Sequence, residues 1–236
     1  MRTTKHFIAM FITFALLFFG CRYEEDEPEI GVFDSPCCVE LYINANDFIL
    51  YDDDRIDDAG NYAIRIVFEG EMIRAYHWKE KRVPVFNELA VLYKDTNYNK
   101  KLMPGYNRAL TSMLDTIQIT CDKDYDEQHK AEASIGDMVT FCATTPYHFI
   151  QRGYREEEYP NQKYPDYWQR MWMHQVKGYE PVEMPANEFD KEKTLLIYPF
   201  CHLYFKKRPQ HGGDYTFTVS IQFNGKVVSK KITHHF

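Results

Sequence analysis

The C-terminal stretch of the chain shows the most regular pattern of apolar and polar positions. From Asp214 to Phe223 the two kinds alternate, so that one face would carry Tyr215, Phe217, Val219, Ile221 and Phe223. Such alternation predicts a strand with one buried face. Asn224-Gly225 follows, and this dipeptide favours a two-residue hairpin turn because both of its residues tolerate positive φ. With a returning strand from Lys226 to Thr233, the sequence predicts a closing β-hairpin.

Short strand-like runs recur along the rest of the chain, separated by Gly, Asn, Asp and Pro clusters. They are Val39–Ile43, Tyr62–Glu69, Glu88–Tyr93, Thr116–Thr120 and Thr194–Phe205. In the last run, Pro199 suggests an edge position or a bulge, since proline has no N–H for a neighbouring strand. About seven or eight short strands are typical of an all-β immunoglobulin-like or Greek-key β-sandwich. The sequence shows no βαβ alternation and no Gly-rich phosphate loop, so a nucleotide-binding α/β fold is not expected.

One aromatic-rich stretch, at about 147–179, departs from the strand pattern. Helical spacing (i, i+3, i+4, i+7, i+8, i+11) relates Tyr164, Tyr167, Trp168, Met171, Trp172 and Gln175. This spacing predicts a short helix at about 166–175, with Pro165 at its N-terminal end, where proline is well tolerated. We expect this helix to lie in an insertion within a single domain that spans 37–236, and long connections of this kind are often functional.

The aromatic stripe allows two interpretations. Tyr164, Tyr167, Trp168 and Trp172 are candidate binding residues, because flat aromatic faces stack on sugar rings and anchor protein partners. The same spacing is what a helix uses to pack on a sheet. Exposure of Trp168 and Trp172 separates the two interpretations, since an exposed aromatic patch marks a binding surface.

The N-terminus reads as an export signal. Arg2 and Lys5 precede an apolar run from Phe7 to Phe19, which is typical of a secretory leader and too short to span a membrane. Gly20-Cys21 resembles the lipobox of bacterial lipoproteins, so residues 1–20 are predicted to be removed and Cys21 to be lipidated. Two or more acyl chains would anchor it stably in the membrane. The alternative is an ordinary leader followed by a structural cysteine.

An acidic segment follows, with five carboxylates among residues 22–29. High charge with few apolar groups predicts a solvated tether, placed at 21–36. An acidic run behind the lipid cysteine also resembles the surface-export signal of Bacteroidota lipoproteins. The expected location is therefore the cell outer membrane, lipid-anchored and surface-exposed, with a spacer on the periplasmic side as the alternative.

Charge and cysteine content narrow the function classes. Without Arg2 and Lys5 the mature chain has 26 − 35 = −9 formal charges, so nucleic acid is not an expected partner. Aromatic residues make up 16% of the chain, which favours strands. Beyond Cys21 there are five cysteines without CxxC spacing: Cys37, Cys38, Cys121, Cys142 and Cys201. If one disulfide forms, Cys121–Cys142 is the expected pair, and free buried thiols fit the sequence equally well.

Several of these features together resemble a known family. The lipobox, the acidic tether, the segment from Leu114 to Asp126 and the closing strand Tyr215–Val219 resemble an uncharacterised family of Bacteroidota lipoproteins with a domain of unknown function. The resemblance implies a secreted, sandwich-type lipoprotein. It implies no activity and no site residues.

Motifs for metal binding or catalysis are weak. Asp122, Asp124 and Asp126 begin like a calcium loop, but Glu127 and Ala133 stand where a helix–loop–helix calcium site needs Gly and Glu. A solvated turn is the favoured interpretation, and an irregular calcium loop is the alternative. The same two interpretations, with the solvated turn again favoured, apply to a second acidic cluster of Asp52, Asp53, Asp54, Asp57 and Asp58.

The histidines show no HExxH spacing, and no GxSxG elbow occurs in the sequence. The sequence also allows a catalytic Cys–His dyad between Cys201 and a distant histidine, as many sequences do. We therefore assign no catalytic residue, metal or cofactor. We expect a non-catalytic, lipid-tethered binding or adhesion module for a glycan or protein ligand. The alternatives are a structural or assembly component that exchanges its last strand, and an envelope hydrolase.

Overall fold

The computed structural model describes residues 33–53, 62–74, 83–102, 105–155 and 178–236. The predicted leader (1–20), the lipidation residue Cys21 and the predicted helix at 166–175 lie outside these ranges.

Strands dominate the described residues and form two main sheets. The large sheet runs in the order β5-β2-β3-β9-β7-β8, and its strands are β2 Leu41–Asp53, β3 Ala63–Arg74, β5 Arg108–Leu110, β7 Val139–Thr145, β8 Glu180–Pro185 and β9 Phe200–Phe205. Its neighbours are antiparallel except β2 and β5. The small sheet runs β11-β10-β6, with β6 Leu114–Cys121, β10 Asp214–Phe223 and β11 Lys226–His235. A separate pair joins β1 Phe33–Ser35 to β4 Lys100–Leu102.

The first core lies between the two main sheets. Alternate positions of strands from both sheets are buried and share one cluster, which includes Ile64, Ile66, Phe68, Ile117, Ile119, Leu203, Phe205, Phe217, Val219 and Phe223. Each such side chain contributes about 1.5–3 kcal/mol when it is fully buried. The fold is therefore an all-β sandwich-like architecture, as the alternating pattern predicts.

The closing hairpin is confirmed. β10 pairs with β11 in the register that sets Phe223 opposite Lys226, and Asn224 and Gly225 have φ values of 52° and 72°. The Asn224 amide also donates hydrogen bonds to Ser112 Oγ at 2.8 Å and to the Ala45 carbonyl at 3.1 Å. The turn is thus tied to β2 of the other sheet.

The prediction of a strand at Glu88–Tyr93 is wrong, because these residues belong to helix α1, Val83–Leu92, and the turn that follows it. Phe86 and Ala90 are buried, and Leu89 and Tyr93 are half-buried. These positions stand at i, i+3, i+4 and i+7, which is one face of a helix. The packing of that face outweighs the strand preference of the β-branched valines.

The predicted strand at Thr194–Phe205 begins later than expected and is not at an edge. Residues Lys191–Thr194 form a 3₁₀ turn, and β9 starts at Phe200 between β3 and β7. Pro199 precedes the strand, so its missing N–H is not required, while its carbonyl accepts a hydrogen bond from Phe68 N at 2.8 Å. The run Val39–Ile43 coincides with β2 only from Leu41, and the run Tyr62–Glu69 coincides with β3 from Ala63; both strands extend beyond the predicted runs. The run Thr116–Thr120 lies within β6, as predicted.

A second core packs on the other face of the large sheet, since Tyr42 belongs to it while Leu41 and Ile43 belong to the first core. It also contains residues from the N-terminal segment, from α1, from the short helix α2 (Tyr147–Gln151) and from the position directly before β8. Its buried members include Cys38, Val39, Tyr42, Phe86, Tyr98, Phe149, Ile150 and Tyr179. Strand β1 takes up the end of the range predicted as a tether, and the earlier residues of that range lie outside the described residues.

Candidate functional site

The candidate binding residues Tyr164, Tyr167, Trp168 and Trp172 lie within 156–177, outside the described residues. The structure does describe both ends of the aromatic-rich insertion, at 147–155 and from 178 onward. We call these two ends the base of the insertion. The 22 residues from 156 to 177 connect one end to the other.

The two ends are held against each other at this base. Arg152, directly after α2, forms an ion pair with Glu180, the first residue of β8. Gly178 packs on the ring of Phe149, and a Cβ at this position would lie 2.5 Å from ring atoms. Gly178 also has a φ of 82°, so glycine meets both a steric and a conformational requirement here. The insertion is therefore closed at its base.

Aromatic residues at the described ends pack in the second core. Phe149 is fully buried and Tyr179 nearly so, while Tyr147 and Tyr154 are half-buried. The Tyr179 hydroxyl donates a hydrogen bond to the Arg108 carbonyl at 2.9 Å. At these two ends, the aromatic residues therefore stabilise the fold by packing in the second core.

A buried carboxylate organises the base. Asp95 follows α1, is fully buried, and accepts hydrogen bonds from Cys38 N at 2.7 Å and from Val39 N at 2.8 Å. The hydroxyl of Tyr154 donates a third bond at 3.0 Å. Burial raises the pKa of Asp95 above its ordinary value, although these three bonds lower it. One side chain thus joins the N-terminal segment, the loop after α1 and the start of the aromatic insertion.

The chain after α2 is fastened to the same loop by further contacts. Gln151 Nε2 donates to the Tyr93 carbonyl at 2.9 Å, and the Tyr154 hydroxyl accepts from Asn97 N at 3.2 Å. Tyr154 has a φ of 63°, a left-handed conformation that is unusual for an aromatic residue. Surrounding contacts must hold such a residue in place, and its bonds to Asp95 and Asn97 are contacts of this kind.

The thiols beside Asp95 are not activated. Burial, with a further contribution from Asp95, raises the pKa of Cys37 to about 12. The pKa of Cys38 is also raised by burial and by Asp95. A nucleophilic cysteine needs a lowered pKa and access to solvent, so this pair is suited to packing.

The large sheet carries a buried histidine–aspartate pair on β9 and β2. His202 Nε2 lies 3.1 Å from Asp53 Oδ2, and the register sets Cys142 of β7 directly opposite His202. Directly opposed residues share a face of a sheet. Cys201, considered above as a partner for a histidine, is instead opposite Ile66 in the first core. Burial raises the pKa of the Cys201 thiol.

The three aspartates of the candidate calcium loop bind donors of this chain. Asp122 accepts from Thr216 N at 2.8 Å, and Asp124 accepts from Ala131 N at 2.9 Å. Asp126 accepts from two backbone N–H groups and contacts His129 Nδ1 at 2.7 Å. Within the part of the chain that the structure describes, no group of three or more His, Cys, Asp or Glu side chains is arranged to hold a metal ion.

His129 bridges this loop to the next turn. Its Nδ1 contacts Asp126, and its Nε2 lies 3.1 Å from both carboxylate oxygens of Asp137. Burial lowers the pKa of His129, but the hydrogen bonds to the two carboxylates raise it more, and the net pKa lies above the ordinary value. These contacts join two turns of the connection from β6 to β7.

The disulfide considered between Cys121 and Cys142 is not formed, because Cys121 carries a free, buried thiol. The two residues lie in different sheets, β6 and β7, and each packs in the first core. The interpretation of buried thiols that act as small apolar side chains therefore fits Cys121.

Sequence reasoning missed the residues that build the base. Asp95 stands alone after an apolar run, where an acidic residue is normally solvated, and its partners Cys38 and Val39 are 57 and 56 positions away. Arg152 and Glu180 are 28 positions apart. A local pattern signals neither contact. The nearest local signal is Gly178, which stands close to the end of the predicted insertion.

No helix among the described residues is both long and apolar enough to span a membrane. Comparison with known proteins finds no matching family model, no matching curated protein and no matching solved structure.

Proposed function

We propose that the chain is a lipid-anchored envelope lipoprotein that acts as a non-catalytic binding or adhesion module. Its lipid is carried by Cys21, and its ligand, a glycan or a protein, is contacted by the aromatic-rich insertion. The leader and the lipobox-like Gly20-Cys21 support export and anchoring. We place it on the outer membrane, with the domain at the cell surface, on the strength of the acidic segment that follows.

The closed base of the insertion is the observation that carries the binding proposal. Arg152–Glu180 and Phe149–Gly178 hold the two ends together, and Asp95 fixes the departing chain through Tyr154. Loops presented by a rigid scaffold are the usual carriers of binding function. A fixed base also lowers the entropy that the loop loses when it binds. The stretch so presented contains Trp168 and Trp172.

We also propose that the sandwich is of the immunoglobulin-like or Greek-key type. Its support is the connectivity between sheets, since the chain passes from β6 of the small sheet to β7 of the large sheet and later from β9 to β10. Connections that pass from one sheet to the other are a property of Greek-key sandwiches.

The binding proposal is tested with the purified full-length lipoprotein on a glycan array and in pull-downs from envelope extracts. Replacing Trp168 and Trp172 with Ala should weaken binding at least about tenfold, as loss of aromatic anchors does at binding hot spots. Tyr51→Ala is the control, because Tyr51 is an exposed aromatic residue on β2 of the large sheet. Binding that survives the double replacement would rule out this site.

A second function, assembly into an envelope complex, has one structural observation in its favour. β11 is ten residues long, lies at the end of the small sheet, and pairs with no described strand on its outer edge, although Lys230 and His234 bind Asp47 and Asp52 of β2. Such an edge can receive a strand from a partner. The backbone N–H and C=O groups of Val227, Ser229 and Lys231 would pair with that partner. Because proline has no N–H, Ser229→Pro should abolish co-purification of an assembly partner while leaving glycan binding intact.

A further inference from the structure

The turn of the closing hairpin contains the one Asn-Gly pair of the sequence, Asn224-Gly225. Asparagine is a chemically labile residue, because the backbone nitrogen that follows it can attack its side-chain amide. Glycine has no side chain to shield that nitrogen. Both residues are exposed, and in the described part of the chain a Cβ at Gly225 would meet no heavy atom within 4 Å apart from its chain neighbours. The turn therefore has room for such an attack.

Three acceptors of the chain restrain the Asn224 amide. Its Nδ2 lies 2.8 Å from Ser112 Oγ, 3.1 Å from the Ala45 carbonyl and 3.3 Å from Asn44 Oδ1. Ring closure needs Cγ of Asn224 to approach the Gly225 nitrogen by rotation about χ1 and ψ, and these contacts oppose that rotation. The rate of attack therefore depends on how often the turn separates from β2 by local opening.

We propose that Asn224 is a site of spontaneous deamidation, and that Ser112, Ala45 and Asn44 set its rate. The Gly225 nitrogen loses its proton to hydroxide of the solvent and forms a bond to Cγ of Asn224. The bond from Cγ to Nδ2 then breaks, and Nδ2 takes a proton from water and leaves as ammonia. Cγ and the Gly225 nitrogen now close a succinimide ring. Water opens this ring at one of its two carbonyl carbons, which leaves aspartate or isoaspartate at position 224.

The product replaces a donor with an acceptor where the hairpin meets the large sheet. Nδ2 of Asn224 donates to the Ala45 carbonyl, and a carboxylate oxygen in its place would face that carbonyl without a proton between them. Ser112 Oγ can still donate to the carboxylate, so it offsets only part of the loss. Isoaspartate also lengthens the backbone of a two-residue turn by one methylene. The modification therefore releases the turn from β2.

The hairpin keeps other connections to β2 after this change. Lys230 lies 2.9 Å from Asp47, and His234 lies 2.9 Å from Asp52. These ion pairs are on β11 and do not involve the turn. We therefore expect the modified chain to stay folded, with a weaker junction between its two sheets.

Asn99 gives a matched comparison within the same chain. It is exposed and has a φ of 48°, close to the 52° of Asn224, but Lys100 follows it instead of a glycine. The lysine side chain shields the attacking nitrogen, so Asn99 should react much more slowly. A preference for Asn224 would then depend on Gly225, and not on exposure or on the backbone conformation of the asparagine.

The test incubates the purified full-length protein in mildly alkaline buffer and follows each asparagine by peptide mass spectrometry. We expect Asn224 to convert from amide to acid while Asn99 stays unchanged, and to convert more slowly than in the same chain unfolded in urea. Ser112→Ala should raise the rate in the folded protein about fivefold, since the loss of one hydrogen bond raises the population of the open turn by about that factor. Ser229→Ala is the control, because it removes the contact with Ser220 Oγ at 2.7 Å on the same hairpin and leaves the turn intact. Its rate should equal that of the parent protein.

Three outcomes would overturn the proposal. An Asn224 that stays an amide in the folded protein after the unfolded chain has converted fully is not a modification site. Equal rates in the parent protein, in Ser112→Ala and in Asn44→Ala, which removes a different acceptor, would show that these contacts do not set the rate. Asn224→Asp reproduces one product, and it should lower the urea midpoint while keeping the circular dichroism of the parent. An unchanged midpoint would mean that the modification does not weaken the junction.

Discussion

The hydroxyl of Tyr154 donates a hydrogen bond to Oδ1 of the buried Asp95 at 3.0 Å. This bond spans 59 positions of sequence and connects the chain that enters the aromatic insertion to the loop after α1. The same carboxylate accepts two backbone N–H groups from the N-terminal segment. The base of the insertion and the entry of the chain are therefore stabilised by one side chain.

Asp95→Ala should lower the free energy of unfolding by about 3 kcal/mol, because it leaves buried N–H groups of Cys38 and Val39 without acceptors. Tyr154→Phe removes one donor and keeps the carboxylate, so its expected loss is about 1 kcal/mol. Urea denaturation followed by circular dichroism measures both. Equal stability of Asp95→Ala and the parent protein would show that the base does not depend on this carboxylate.

Replacing Gly178 tests how tightly the base is packed. Gly178→Ala and Gly153→Ala both place a Cβ on a backbone with positive φ, at 82° and 65°. Only at Gly178 would the Cβ meet another group, the fully buried ring of Phe149. We expect Gly153→Ala to cost about 1 kcal/mol in the free energy of unfolding, and Gly178→Ala to cost roughly 1–3 kcal/mol more, as overpacking does. Thermal denaturation compares the two, and similar values would mean that the base can open at little cost.

His129 should make stability depend on pH in a defined direction. Its folded-state pKa is raised above 6.5 by Asp126 and Asp137. Its contribution to stability is therefore complete below pH 6.5 and is lost as the pH rises through the raised value. The pKa of Asp126 is lowered from 3.8, chiefly by the bond from His129 N, so its share is present above pH 3.8 and is lost as the pH falls through the lowered value.

An NMR titration of the His129 ring measures this directly. The midpoint should lie above 6.5, and Asp137→Asn should move it downward because a charged partner is removed. His129→Gln should flatten the pH dependence of stability between about pH 6 and 8. An unchanged midpoint in Asp137→Asn would show that the contact between His129 and Asp137 does not form in solution.

The turn of the closing hairpin combines two roles that substitution can separate. Asn224→Gly keeps the positive φ but loses the hydrogen bonds to Ser112 and Ala45, for an expected cost of about 1 kcal/mol. Asn224→Ala loses both the bonds and the favourable backbone, for about 2 kcal/mol. Chemical denaturation distinguishes the variants. A stable Asn224→Gly protein would mean that the bonds across to β2 contribute nothing.

Local pattern predicted the fold where strand chemistry and turn chemistry agreed. Residues 214–235 combine strict alternation with Asn224-Gly225, and the hairpin formed as expected. The prediction at Glu88–Tyr93 missed helix α1 because Val91 and Tyr93 favour a strand locally. Its helical form depends on packing of Phe86 and Ala90 in the second core, and a ten-residue apolar run does not reveal that partner.

The candidate site was less accessible to sequence reasoning than the fold. The aromatic stripe at Tyr164–Trp172 was visible as a periodic pattern, whereas the base that presents its segment rests on single long-range contacts. Asp95 has no neighbour in sequence that announces a buried role, and Arg152 and Glu180 look like ordinary surface charges. Contacts of this type are set by the topology of the sheets, so they become visible only in the folded molecule.

Intact mass spectrometry of the protein isolated from membranes shows whether Cys21 is the lipidated first residue. We expect a mature chain that begins at Cys21, lacks residues 1–20, and carries the added mass of two or three acyl chains on that residue. A chain that retains Met1, or one that begins with an unmodified amine, would contradict it.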